Sequence, residues 1–454
     1  MSVQEFARRV CESANQLYTS ELISKLIGAT QSTFDISRCF ALAHRLTVIP
    51  DTLGQLTSLT TLNLASCDVL TTLPESLGQL AALTTLDLTG CDTLTTLPKS
   101  LGQLTVLKSL NLSRCGRLTG LPESLGQLTL LATLNLALCD ILTTLPESLG
   151  QLAALTTLCL EHCHALTFLP ESLGQLSVLM TLDLRDCYAL TGLPSSLGQL
   201  AALATLDLGW CFALTVLPGS VGQLSMLTSL SLHQCEALTG LPEPLCRLTM
   251  LETLRLGHFY FLTGLPALFG QLAVLKILDL SHCEALTELP TSLGQLAVLT
   301  TLFFNGCVAL TALPESLGQL LALETLHLTQ CSLLTELPES LGRLAKLESL
   351  RIDYCTALQR IPISFINVPS CLNTPCVGLS SIVFPTRDIM ETDETAIRRF
   401  LLAHHRPLQF LTLILAAGDM NHLPDELWVF ALTWEKLTEQ SSKQNQFNAL
   451  TLRN

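Results

Sequence analysis

The sequence predicts an α/β solenoid, a horseshoe of stacked coils with a parallel concave β-sheet and short helices or 3-10 turns on the convex side. Two observations carry that prediction. From Leu53 to Ser364 the chain repeats every 24 residues, thirteen times without a gap. Inside each unit, L-G-Q-L-x-x-L-x-x-L-x-L-x-x-C-x-x-L-T-x-L-P-x-S, two hydrophobic periods sit side by side. The L-x-L step, as in Leu62 and Leu64, has period two and marks a short strand with one buried face. The L-x-x-L-x-x-L step, as in Leu77, Leu80 and Leu83, is near helical spacing and marks a short helix or 3-10 turn. One unit cannot bury its own leucines, so the units must stack.

The elements follow in chain order. Residues 1–28 are expected to form an N-terminal helical cap, because Phe6, Val10, Leu17, Ile23 and Leu26 give one apolar face. Residues 29–52 read as a degenerate first repeat, with Phe34, Ile36, Cys39 and Leu42 on the strand pattern and Leu46 to Pro50 at its end. Residues 53–364 are the thirteen repeats. Proline fills the twenty-second position of all of them, pre-set for a first helical position, and the glutamate behind it in Glu75, Glu123, Glu147 and Glu315 favours a helix N-terminus. Residues 365–454 are read as a C-terminal helical cap or small module, with Thr392 to His404 as a helix and apolar segments at Leu408–Ala417 and Leu423–Leu437. At ~4.8 Å per strand the thirteen repeats give an inner surface on the order of 60 Å, enough to grip a folded partner.

Composition narrows the function. The chain is 48% hydrophobic with a mean hydropathy of +0.47, yet those residues are mostly single leucines spaced by polar ones. No run reaches the ~18 residues of a membrane span, so no membrane insertion is expected. The net charge of −14 argues against a nucleic-acid partner, which needs a basic stripe to neutralise phosphates. The N-terminal residues hold no apolar stretch of signal-peptide length. A cytoplasmic protein is therefore expected, with its 18 cysteines reduced, as a monomer.

These units resemble leucine-rich repeats, and among them the variant of plant disease-resistance receptors and related intracellular proteins. The carrying residues run from Leu86-Asp87-Leu88-Thr89-Gly90-Cys91 through Leu97-Pro98-Lys99-Ser100-Leu101-Gly102-Gln103-Leu104. The resemblance covers about two-thirds of the chain and implies a protein-binding platform. The nucleotide-binding module of the full-length receptors has no counterpart here, since no G-x-x-x-x-G-K-[ST] occurs.

Cysteine fills the fifteenth position of twelve repeats, from Cys67 to Cys355, with Phe259 the exception. A disulfide ladder, a metal array and a buried thiol corner are the three readings. Parallel Cβ vectors disfavour bridges, and a 24-residue period lacks the clustered pairs of zinc sites. A small apolar group acting as a weak donor fits best. Cys159, beside Glu161, His162, Cys163 and His164, invites a Cys/His site, but a strand splits Cys159 and Cys163 between opposite faces. Cys246 replaces a glycine on the convex side and reads as structural.

Recognition is expected at the positions that vary: the eleventh, thirteenth, fourteenth and sixteenth. The first repeats are bland there, with Asn63, Ala65 and Ser66. The middle repeats carry Glu161, His162 and His164; Arg185, Asp186 and Tyr188; Trp210 and Phe212; His233, Gln234 and Glu236; Arg255, His258 and Tyr260; His282 and Glu284; and Phe303. In a chain only 5% aromatic this concentration points to a protein interface, where Trp, Tyr and Arg dominate; drift among near-identical repeats is the competing account. The adjacent histidines His258 and His282 supply two ligands where a metal needs three or four, so no metal or cofactor is expected.

The predicted function is a non-enzymatic intracellular protein-binding scaffold or receptor using the concave face of the middle repeats. The alternative is a substrate receptor of a ubiquitin ligase, because Leu423-Pro424-Asp425-Glu426-Leu427-Trp428 resembles the opening of an F-box and its C-terminal place that of a SOCS box. No G-x-S-x-G, H-E-x-x-H or phosphate loop suggests an enzyme.

Overall fold

The computed structural model describes residues 1–13, 32–37 and 39–359. Fourteen parallel strands of three residues each form one sheet in strict sequence order, from β1 (Thr33–Asp35) and β2 (Thr61–Asn63) through β3 (Thr85–Asp87) to β14 (Ser349–Arg351). Each strand from β2 on centres on the tenth-position leucine, with Phe34 in that place in β1, and the register never slips: Leu62 pairs with Leu86, and Leu86 with Leu110. Leu62 and Leu64 are both fully buried, as are their equivalents in the next repeats, Leu86 and Leu88. A one-residue slip would turn those leucines out to water, and that fixes the register.

The convex side is built from 3-10 turns such as Glu75–Gln79 and Glu123–Gln127. The proline stands one residue ahead of the turn, at the N-cap, and not at the first helical position. Pro74 has φ −72° and ψ 149°, an extended setting its ring allows, and its carbonyl accepts the first turn bond, from Leu77 N–H at 3.0 Å. The glutamate behind it serves its neighbour: Glu75 accepts bonds from the N–H groups of Lys99 and Ser100, one repeat on, at 3.2 and 2.9 Å. Those bonds hold the Glu75 carboxyl below the usual carboxylate range.

Repeats pack so closely here that the second position has little room for a side chain, and glycine fills it in every repeat but that of Cys246. A Cβ on Gly78 would lie 2.5 Å from the Ser100 carbonyl oxygen. Where Cys246 takes that position, the following turn shrinks to three residues, Phe269–Gln271, and Leu268 is left exposed.

At the N-terminus, helix α1 (Val3–Ser13) lays Phe6, Ala7 and Val10 on the first coil, and Phe6 meets Phe34 edge-on at 5.2 Å. The β1 coil is longer than the rest, because Phe34 pairs with Leu62, 28 residues on. The short helix α2 (Phe40–Ala43) lies within that extra length. Leu17, Ile23 and Leu26 lie outside the described residues, as do the C-terminal module and the F-box-like segment at Leu423–Trp428.

The cysteine ladder is a set of free thiols. From Cys91 onward each ladder Sγ donates to the twelfth-position carbonyl of the preceding repeat, as Cys91 does to Leu64 at 3.4 Å and Cys187 to Leu160 at 3.2 Å. Burial pushes the thiols of Cys67, Cys115 and Cys187 up to about 12, so they are poor nucleophiles.

Candidate protein-binding surface

The variable residues fall into two settings. Arg255 and Phe303 stand within strands, at the solvent face of β10 (Thr253–Arg255) and β12 (Thr301–Phe303). The thirteenth, fourteenth and sixteenth positions follow the strand, in the turn beyond it. The parallel ladder runs on into that turn: Trp210 N–H donates to the His233 carbonyl at 2.7 Å, and His162 N–H to the Arg185 carbonyl at 2.8 Å. The candidate strip therefore runs along the strand-end edge of the sheet more than across it.

The fourteenth position has a conformation that the leucine pattern does not announce. Its φ is positive in all thirteen repeats, with 64° at Ser66, 59° at His162 and Asp186, 64° at Trp210 and 61° at His258, and glycine at Gly90 and Gly306. The left-handed region is costly for most residues and worst for β-branched ones, and no valine, isoleucine or threonine stands at this position. Two residues earlier the chain often prepares the turn, because an eleventh-position Asp or Asn accepts the thirteenth N–H, as in Asn63 to Ala65 (2.9 Å) and Asp207 to Gly209 (3.0 Å). The absence of β-branched residues and the Asp/Asn preference were the signals available in the sequence.

The structure brings most of the predicted residues into contact. His164, Tyr188 and Phe212, all at the sixteenth position, stack in series, with ring centroids 4.6 and 5.0 Å apart. Trp210 meets Phe212 at 5.9 Å and His233 at 6.0 Å, both edge-to-face. His233 then meets His258 at 5.1 Å, and His258 stacks on His282 at 4.4 Å. Tyr260 joins through its hydroxyl, 3.2 Å from His258 Nδ1, and His162 through His164. The result is one continuous row of rings from His162 to His282, crossing six repeats. Tyr188 and Trp210 are 38% and 40% exposed, so the row is open to a partner. Phe303 stands apart, against His327 at 5.0 Å, and Gln234 adds no ring.

A charged knot lies at one end of the row. Arg185 bonds Asp183 through two nitrogens at 3.1 and 2.9 Å, and reaches Glu161 at 3.1 Å and Asp207 at 3.5 Å. The Asp183 bonds hold the guanidinium proton more tightly than usual, and burial raises the Asp207 carboxyl. Burial also lowers the imidazoles of His233 and His258. Among the described residues, two sets of three donors have ligand atoms within 4.8 Å of one another, Cys159 with Glu161 and Asp183, and Glu161 with His162 and Asp186.

A solenoid of parallel coils with invariant leucines inside and one variable strip outside defines a repeat-built binding platform. The comparisons name the family. The Leucine Rich Repeat family profile matches at residues 58–80, 106–128 and 322–344, and the chain is built of leucine-rich repeats. A leucine-rich-repeat protein of Leptospira interrogans is 27% identical, over 82% of this chain and 94% of that one, with a TM-score of 0.53. The Drosophila Toll–Spatzle complex shares the fold at 19% identity and a TM-score of 0.51, over 78% of this chain and 50% of that one. The leucine-rich-repeat domain of the type III effector XopL is 32% identical over 48% of this chain and 73% of its own, with a TM-score of 0.41. Among curated proteins none matches the sequence. Leucine-rich-repeat proteins are in general scaffolds that bind other proteins.

Proposed function

We propose that this chain is a non-enzymatic intracellular scaffold or receptor that grips another protein along the strand-end edge of repeats 149–292. The observation that carries this reading is the unbroken row of rings. Unselected drift would scatter aromatics among the four variable positions, whereas these touch from one repeat to the next over six repeats.

The geometry also favours a protein over a flat ligand. The stacked faces of His164, Tyr188 and Phe212, tilted by only 16° and 26° from one another, cover each other. What they offer outward is ring edges, a tyrosine hydroxyl and imidazole nitrogens, which suit backbone carbonyls and polar side chains. A sugar or nucleobase would need open faces. Arg255 and the Arg185 knot supply charged contacts beside the row, as at interface hot spots. The buried, reduced thiols support a place inside the cell.

The test is the triple variant Tyr188→Ala, Trp210→Ala and Arg255→Ala in the full chain. Partner capture is expected to fall by more than about tenfold with the thermal melt unchanged, as loss of two or more hot spots requires. Undiminished capture by the folded variant would overturn the assignment.

A further inference from the structure

We propose that Glu161, His162 and Asp186 form a binding site for a divalent first-row transition metal of the zinc class. His162 Nε2 lies 3.7 Å from Glu161 Oε1 and 3.6 Å from Asp186 Oδ2. Ligand atoms held about 2.0–2.2 Å from a tetrahedral ion are about 3.3–3.6 Å apart, so these two spacings are already close to the edge of a coordination tetrahedron, and all three ligand atoms lie within 4.8 Å of one another. Small side-chain rotations close the remainder.

The backbone holds this arrangement. His162 and Asp186 are the fourteenth residues of adjacent repeats, both at φ 59°. Their N–H groups donate to the Arg185 and Gly209 carbonyls at 2.8 and 2.9 Å. Two of the three ligands therefore rise from neighbouring rungs of one hydrogen-bonded ladder.

Charge favours a cation. Glu161, Asp183 and Asp207 face a single guanidinium, Arg185, Asp186 adds a further carboxylate beside His162, and a divalent ion would offset the excess. The neighbouring group of Cys159, Glu161 and Asp183 is the weaker candidate, because Arg185 already bonds two of its three members, Asp183 at 2.9 Å and Glu161 at 3.1 Å. One nitrogen and two carboxylate oxygens suit Zn2+, Co2+ or Mn2+. Three protein ligands leave a position for water or a donor from a partner.

The experiment titrates the full chain with Co2+, read by visible absorption, and with Zn2+, read by calorimetry. The variants are His162→Asn and Asp186→Asn, since asparagine tolerates the left-handed backbone at both positions. Each is expected to weaken binding by more than about tenfold, because even an outer partner of a ligand is worth that much. His258→Asn, at the same position in the histidine row, should bind as the parent does. The proposal fails if the parent chain binds neither ion, if His162→Asn binds undiminished, or if His258→Asn loses binding equally. Binding that survives His162→Asn but not Cys159→Ser would place the ion on the thiol and overturn the assignment too.

Discussion

Repeats 53–148 and repeats 149–292 share one backbone, apart from the shortened turn at Phe269–Gln271, and present different chemistry. In the first group the fourteenth position holds Ser66, Gly90, Arg114 and Leu138; in the second it holds His162, Asp186, Trp210, Gln234, His258 and His282. All ten share a left-handed φ between 58° and 69°. The first group carries no histidine at all, and the second carries five of the chain's ten. The coil is thus indifferent to what stands on its strand-end edge. Leucines, cysteines and second-position glycines settle the backbone, and that frees the edge for recognition.

Substitutions in the core should have the largest effect. Leu86→Ala and Leu206→Ala remove equivalent, fully buried side chains, one from each group. Each should cost about 2–5 kcal/mol, and urea unfolding should find the two losses alike. A markedly cheaper Leu206 would mean that the middle coils are looser and that the equivalence is false.

A smaller effect sharpens it at the edge. Trp210→Gly removes the ring and relieves the left-handed backbone, so stability should hold or rise by about 1 kcal/mol while partner capture falls. Trp210→Val should lose about 1–2 kcal/mol, because a β-branched side chain fits that region worst. The same pair at Arg114 should give the same stability difference with no change in capture.

The smallest effect is one of pH. Burial lowers the His233 and His258 imidazoles, so the folded chain holds those protons less tightly than the unfolded one. Their contribution to stability is present above the ordinary imidazole pKa of about 6.5 and declines as pH falls below it. Hydrogen exchange between pH 7 and 5 should therefore show repeats 221–268 losing protection before repeats 53–148. Equal loss in both groups would contradict that origin.

Periodicity made the scaffold legible. The strand around Leu62, the turn after Pro74 and the buried cysteine could all be placed from spacing, because each is fixed by burial that recurs every 24 residues. The edge was legible only as a set of variable positions. Contact between His164, Tyr188 and Phe212 depends on rotamers that sequence does not state. The left-handed turn at Trp210 left only a subtle trace, the missing β-branched residues. Spacing suggests that the glutamate serves its own turn, whereas Glu75 serves the next one.

The bonds between coils have a genetic consequence. They recur at separations such as 23, 24, 25 and 27 residues, as in Trp210 to His233, Thr84 to Thr60, Ser100 to Glu75 and Cys91 to Leu64. Deleting or duplicating one whole unit rejoins each donor to an equivalent acceptor, so the chain can lengthen or shorten in steps of one coil without an unmatched seam. The junction after Cys246, with its shortened turn, is the exception, because units on either side of it are no longer interchangeable. Recombination within residues 53–244 therefore changes how far the row of rings stands from the N-terminal helix while leaving the row itself intact, provided the units exchanged precede Glu161.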